Sequence, residues 1–481
     1  MTWVLYDVCA VRPTTVVYTC EKHKSFPMTI NVRPSSFCVA ATAAVVVVHV
    51  FLRIQKKRRS RRKQGSSEKR WTCRIRHRRS VLEIFNQLGD PYFRRAYRMT
   101  YSSFGHLALL LSEGIILASG QKEGSSLVRH HVHNGRIMPE VRLASALRWF
   151  AGGSAYDIMT TFGISHSEVF SSVWFVVEAV NNLEDFEIIY PADHIKQRQI
   201  ADGFLEASAA GFECCAGAID GILIWIHKPS DKDCALSGCD PGKFFCGRKH
   251  KFGLNCQAVC DARGRILDMA IQYPGSTSDI LAFEGMSLYD RLEDGLLAPG
   301  LCLFGDNAYL NTPYMATPYS AVSGGSKDSY NFYHSQVRIR IECIFGILTH
   351  RWSILRSAIP MSVSVKKTVA LVCALGKLHN FCIDTEGDVD VPTPTPADEW
   401  EIEMDCCVPL VPAPGTQSAR DVVPEQLLDG GNHFDDLGYR GRYNRQRRYE
   451  YMSAQSSTPL PRERLHDLVC DAGLTRPIIQ V

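Results

Sequence analysis

Four short runs of β-branched and apolar residues, three of them holding or ending beside an acid, constrain this chain more than any other feature. Ala216–Ile226 (AGAIDGILIWI), Leu254–Cys260 (LNCQAVC), Ile266–Ile271 (ILDMAI) and Leu301–Phe304 (LCLF) are strand-length and separated by turns such as ARGR. From Ser335 to Arg356 the period becomes helical, with Ile341, Ile344, Leu348, Trp352 and Leu355 on one stripe. Val369–Phe381 reads as a further helix. Strands followed by packed helices predict a mixed α/β layer.

The acids sit where an isolated charge is costly. Asp220 lies inside an apolar strand between Ile219 and Gly221, and burying a lone carboxylate is unfavourable unless it is paired or metal-bound. Asp306 follows LCLF at a strand end, and Glu342 stands beside the apolar helical stripe. Asp279, in PGSTSDILAF, falls where a turn enters a helix, so a helix cap and a site ligand are both open to it. Phosphodiester cleavage with two metal ions needs carboxylates converging from different elements, and hard cations such as Mg²⁺ take oxygen ligands.

Upstream, Val141–Leu183 reads as a helix-turn-helix. Leu143, Leu147 and Phe150 line a first helix, and Gly152 and Gly153 end it. Ser154 caps a second helix that stops at Gly163. Ser165 and Glu168 form a capping box for a third. The DNA contacts expected of such a unit are Ser165, His166 and Ser167, at a helix N-terminus where exposed N–H groups can meet phosphate. A plain helical bundle has the same pattern. The cluster Arg248, Lys249, His250 and Lys251 is either a solvated hairpin or a holder of DNA phosphates. His379 and Asn380 either bond a ligating carboxylate or satisfy a buried packing site.

Length and charge set the outer organisation. The chain has 481 residues, 45% of them hydrophobic and 22% charged, which favours two or three units with a real core. The formal charge of +4 conceals fourteen Lys/Arg against one Glu between Arg53 and Arg79. So compact a basic run on an otherwise acidic protein implies polyanion binding or nuclear import. It follows Phe37–Leu52, an apolar stretch of sixteen residues, whereas a span takes about 20. Order opposite to a signal peptide and short length favour a buried segment or an extension without a fold role over an anchor. The eighteen cysteines are thinly spread, as expected of reduced thiols, and Cys234, Cys239, Cys246, Cys256 and Cys260 are too loosely spaced for a zinc site. Beyond Asp384 the chain turns Pro-rich and acidic, then basic and aromatic in GYRGRYNRQRRYEY, and reads as a linker and a tail that is either disordered or in loose nucleic-acid contact through Arg and stacked Tyr, with a short terminal helix over Arg462–Leu474.

The segments GAIDG, PGSTSD, FGDNAYL and RIRIECIFGILTHRW, in that order, resemble the successive motifs of PIF/Harbinger-type transposases. FCGRKHKFGLNCQAVCD, TPYMATPY and KLHNFCID extend the resemblance, which runs from about Val81 to Asp384. Thirty-five residues separate Asp306 from Glu342, a separation typical of DDE recombinases. The resemblance implies an RNase H-like catalytic domain preceded by the helical unit. The expected divisions are a basic, disordered extension over 1–80, a helical domain over 81–190, the endonuclease over 191–384, and the linker and tail over 385–481. It further implies Asp220, Asp306 and Glu342 as catalytic residues, and the same three with Asp279 as ligands of Mg²⁺ or Mn²⁺. The implied activity is metal-dependent DNA cleavage, a hydrolase reaction, with strand transfer in DNA transposition. A separately encoded Myb-like DNA-binding partner and a nuclear location also follow from the resemblance. The alternative on the same fold is a domesticated, non-cutting DNA-binding or adaptor protein.

Overall fold

The computed structural model describes residues 76–120, 136–387, 445–456 and 458–477, together with Thr15–Val16 and Ile30–Asn31, which pair antiparallel. Phe37–Leu52 and the basic run Lys56–Lys63 lie outside the described residues. The chain divides into a unit Met1–Arg76 and a unit His77–Val481, and the second holds the mixed sheet and its helices.

Its sheet grows from β1 (Cys215–Trp225), the strand that holds Asp220. β2 (Phe245–Cys246) opens a hairpin into β3 (Lys251–Cys260). β3 runs antiparallel to β1 in register from Ala218↔Cys260 to Trp225↔Gly253. β4 (Ile266–Pro274) adds antiparallel to β3. On the other side β5 (Cys302–Phe304) lies parallel to β1, and β6 (Met315–Ala316) parallel to β5. The resulting six-stranded mixed sheet runs β2-β3-β1-β5-β6, with β4 also paired to β3. An antiparallel meander joined to two parallel strands is the arrangement of an RNase H-like fold.

Helices cover the sheet. α11 (Ser326–Arg351) packs on β1 and β3 and then tightens into a 3₁₀ turn at Ser353–Arg356. Its expected stripe is all buried: Ile341, Ile344, Leu348, Trp352 and Leu355. Fully burying such side chains contributes about 1.5–3 kcal/mol each, and Trp352 adds an indole N–H bond to the Leu375 carbonyl at 3.1 Å. α12 (Val365–Glu386) runs beside β4. α7 (His194–Glu206) precedes β1, α8 (Asp231–Ser237) lies between β1 and β2, and α9 (Asp279–Glu284) and α10 (Ser287–Glu293) lead from β4 towards β5.

The helical unit begins at α1 (Val81–Leu88), where Ser80 and Glu83 cap each other reciprocally. α2 (Asp90–Tyr97) follows and ends at Arg98 in the left-handed region. In α3 (Tyr101–Ala118) Phe104, Leu107 and Leu111 are buried, and Thr100 is the N-cap. Among the described residues α3 alone is long and apolar enough to cross a membrane by length and composition, yet it packs against its neighbours in this unit. α4 (Pro139–Phe150), α5 (Ala155–Phe162) and α6 (His166–Asn182) stand where the sequence places three helices. Ser154 and Ser165 cap the second and third, and Gly163 closes the second in the left-handed region. The expected capping box is half formed. Ser165 accepts from the Glu168 N–H, but the Glu168 carboxylate turns to the buried Arg142 at 3.1 Å instead of back to the N-cap. A desolvated guanidinium is the stronger partner.

One apolar core joins this unit to the sheet: Leu147, Phe150 and Val173 belong to the same buried cluster as Trp352, Leu375, Ile224 and Leu254. Asn181 of α6 donates to the Ala370 carbonyl at 2.8 Å, and Lys377 donates to the Asn181 carbonyl at 2.9 Å.

Residues 445–456 are helical where a disordered tail is expected, whereas α13 (Pro461–Asp471) stands where the sequence places a terminal helix and buries Leu465 and Val469 in a core with Phe304, Ala316 and Tyr330. The basic and aromatic residues of this stretch find acidic partners on α9 and α10: Arg445 pairs with Glu284 at 2.8 Å, and Tyr449 donates to Glu293 at 2.5 Å. The expectation weighed the stretch alone and so could not include partners more than a hundred residues away.

Candidate active site

Strand register brings the first two acids level. Ala218 of β1 stands opposite Phe304 of the parallel β5, so Asp220 and Asp306, each two residues further on, leave the sheet side by side. The Asp220 carboxylate accepts from the Gly221 N–H at 2.7 Å, and Asp306 accepts from the Ala308 N–H at 2.8 Å, which fixes both side chains on their own backbone. α11 supplies the third acid. Arg338, one turn before Glu342, meets Glu342 at 2.6 Å and Asp220 at 3.4 Å. Its side chain is 15% exposed, so this guanidinium is an internal counter-ion for acids from two elements.

Asp279 is the first residue of α9, yet its side chain does not cap that helix; nor does that of the N-cap Ser278. Its carboxylate accepts from Asn255 and Gln257 of β3, each at 3.0 Å. Gly221 makes this approach possible. A Cβ there would lie 2.4 Å from the Asp279 oxygen and 2.5 Å from the Gln257 amide nitrogen. Tyr309 in turn donates to the side-chain amide oxygen of Gln257 at 2.5 Å, tying the loop after Asp306 to the same network.

The electrostatics follow from burial and proximity. Burial pushes the Asp220 carboxyl up to about 7; Arg338 and the Gly221 N–H oppose that, while the charges of Asp306 and Glu342 add to it. Burial also raises Asp306, tempered by the Ala308 N–H and Arg338, with Asp279 raising it further and Arg248 lowering it. For Arg338 burial works against the charge, but Glu342, Asp220 and Asp306 outweigh it and hold the guanidinium protonated above its ordinary range. Four carboxylates thus share one electrostatic neighbourhood, although their segments are far apart in sequence.

The exposed hairpin Arg248, Lys249, His250 and Lys251 lies between β2 and β3. Arg248 acts on Asp306, and Lys251 rests over the Trp225 ring, 3.0 Å from its centroid. Ser165, His166 and Ser167 stand at the N-terminus of α6, on the helical unit, with His166 packed between the rings of Tyr156 and Phe170. His379 and Asn380 do not reach the carboxylates. The His379 ring bonds the Gly264 carbonyl at 2.9 Å, and Asn380 clamps the N–H and C=O of Ile266, each at 2.8 Å, at the start of β4. The described cysteines are all free, with Cys256 and Cys260 buried within β3.

Sequence reasoning passed over Arg338, Asn255, Gln257 and Tyr309. The signals were present. Arg338 precedes Glu342 by four residues, one helical turn, and Asn255 and Gln257 are amides within an otherwise apolar strand.

The donor chemistry suits a hard divalent cation, since all four candidate ligands are carboxylates. The spacing is that of an arginine-bridged cluster. Among the described residues no three carboxylate, imidazole or thiol groups already form a metal-holding set. Arg338 fills the gap between Asp220 and Glu342.

Residues 219–380, about a third of the chain, match the DDE superfamily endonuclease family. Members of that family use divalent metal ions. The chain is 27% identical over 270 residues to the Bos taurus protein named "Putative nuclease HARBI1", covering 55% of this chain and 73% of that one. The Mus musculus protein of the same name is 28% identical over 281 residues, 57% of this chain and 76% of that one. "Protein ALP1-like" of Arabidopsis thaliana is 26% identical over 260 residues, 51% and 61% of the two chains. No solved structure matches the chain. The matched segment opens one residue before Asp220 and closes on the Asn380 clamp, so it contains all four acids and Arg338: the chain carries a DDE superfamily endonuclease domain, and its likeness to proteins named nucleases supports a nuclease.

Proposed function

We propose that this chain is a metal-dependent DNA endonuclease and strand transferase of the PIF/Harbinger transposase type. The observation that carries the reading is the convergence of Asp220, Asp306 and Glu342 from two parallel strands and a helix, with Arg338 bridging Asp220 and Glu342 and its charge reaching Asp306. Asp220, Asp306 and Glu342 would hold Mg²⁺ or Mn²⁺, with Asp279 as a fourth donor. Bound there, the ions supply an activated attacking oxygen and stabilise the leaving oxygen of an in-line displacement at phosphorus.

The protein's own part is positioning and charge. Asn255 and Gln257 hold Asp279 against Gly221, and the Ala308 N–H holds Asp306, so the donors are oriented in advance. Arg338 offsets the repulsion of the acids before a cation arrives. Arg248, on the exposed hairpin near Asp306, is the group best placed to receive a DNA phosphate, with Lys249, His250 and Lys251 beside it. Ser165, His166 and Ser167 offer a second phosphate contact on the helical unit. In this reading the protein works in the nucleus on DNA, with a Myb-like DNA-binding partner, in cut-and-paste transposition.

A non-cutting DNA-binding protein on the same fold is the second reading, favoured by the seat of Arg338 between two of the ligands. Plasmid nicking by the purified full chain with Mg²⁺ or Mn²⁺ separates the two. Cutting is expected, and Asp220→Asn, Asp306→Asn and Glu342→Gln should each abolish it, because each keeps shape and removes a charged oxygen donor. Asp279→Asn should raise the Mg²⁺ concentration needed for half-maximal nicking. Full cutting by Asp306→Asn, or none by the unaltered chain with its ends and partner supplied, overturns the proposal.

A further inference from the structure

A groove of about 700 Å³ runs between α2 and the second half of α11. Arg94, Arg95 and Arg98 line one wall; Gly346, His350 and Arg351 line the other. Arg148 and Arg356 stand close enough to act on Arg98. Against this charge the contacts show one carboxylate, Glu386, at 3.6 Å from Arg94. So many guanidiniums repel one another unless an anion lies among them.

Two further observations point to an anionic ligand. Arg98 Nε and Arg351 Nη1 are buried and have no hydrogen-bond partner, a costly state for strong donors. Gly346 sits within a 26-residue helix, where glycine is unfavourable, yet a Cβ at that position would meet nothing within 4 Å. Packing inside the protein does not require that glycine, whereas a ligand lying close against the helix does.

The groove is aligned with the catalytic acid. Gly346 and His350 follow Glu342 on α11 by about 6 and 12 Å along the helix axis. At about 3.4 Å of axis per phosphate on one strand, that is roughly two to four phosphates. We infer that this groove is a track for the backbone of duplex DNA leading away from the carboxylate cluster, with Arg94, Arg95 and Arg351 as phosphate contacts. The inference rests on the nuclease reading for the identity of the polyanion.

The test is a fluorescence-anisotropy titration of a short duplex by the full chain in EDTA, repeated across a salt series. Arg94→Gln with Arg95→Gln alters two exposed side chains and should leave the melting temperature within a degree or so of the parent. It should make the slope of log affinity against log salt shallower by about two. Lys232→Gln with Lys366→Gln removes the same charge from exposed positions outside the groove and should leave the slope unchanged. Gly346→Ala should hold or raise the melting temperature while weakening binding. An unaltered slope in the arginine pair, an equal loss in the lysine pair, or no binding by the parent chain overturns the track. Because binding is read without metal, the two proposals fail separately. A parent chain that binds through the groove and never nicks sinks only the nuclease reading, and groove variants that bind and nick like the parent sink only the track.

Discussion

His379 and Asn380 are neighbours on α12 and show how one residue type can be misjudged by its reactivity. Asn380 satisfies both backbone groups of Ile266 at the start of β4, an edge-protecting clamp. His379 is fully buried, bonded to the Gly264 carbonyl on one ring nitrogen, with Nδ1 unpartnered. Burial lowers its pKa from 6.5 to about 4, the Gly264 bond opposing and the charges of Arg351 and Arg265 adding. The folded state therefore resists protonation that the unfolded chain accepts. Stability from this group is complete above the unfolded value of 6.5 and is lost as pH falls towards 4. His379→Gln keeps a donor for Gly264 and cannot titrate, so its melting temperature should fall less than the parent's over that interval. Parallel curves for the two proteins would place the acid sensitivity elsewhere. At this scale the sequence showed which acids sit in costly places, because an acid among apolar residues is visible in one dimension. Arg338 was not singled out, because its value lies in touching Asp220, 118 positions away.

Elements were legible where their own periodicity carries the burial. All four strand runs form strands, and the second half of α11 keeps its stripe. The first half of α11, from Ser326, was missed because Tyr330, Phe332 and Tyr333 are buried on several faces rather than along a stripe. Part of that cover comes from the C-terminal strap: Tyr333 donates to the Thr475 carbonyl at 3.1 Å, and Arg476 pairs with Asp328 at 3.2 Å. The strap also grips the loop after Asp306. Gln446 accepts from the Asn311 N–H and Glu463 from its side-chain amide, each at 3.0 Å. Leu465→Ala should then destabilise the protein by about 2–5 kcal/mol, the cost of a large-to-small change in a core. It should also speed proteolysis within 305–314, measured by mass spectrometry of timed digests. A variant that melts and digests like the parent would show that α13 contributes nothing to this loop.

Among the described residues from His77 onward, the helical unit and the sheet unit share buried contacts. The cluster that holds Phe150 and Val173 of the helical unit also holds Trp352 at the end of α11 and Leu254 of the sheet. Calorimetry of the metal-free protein should accordingly show one unfolding transition for the helical and sheet units together, with calorimetric and van't Hoff enthalpies in agreement. Two resolved transitions, one abolished by Leu147→Ala and the other not, would contradict a common core. The sequence suggested a boundary near residue 190, between the helix ending at Leu183 and the strand runs that begin after Glu213, but a change of period marks a change of element and not the edge of a core. A molecule without a joint at that point behaves as a ruler. On the proposed nuclease reading, whatever stretch of duplex the helical unit grips would set the scissile position at one fixed offset, so breaks should fall a constant number of base pairs from the recognised sequence, and lengthening the spacer in the DNA should move the break along with the grip.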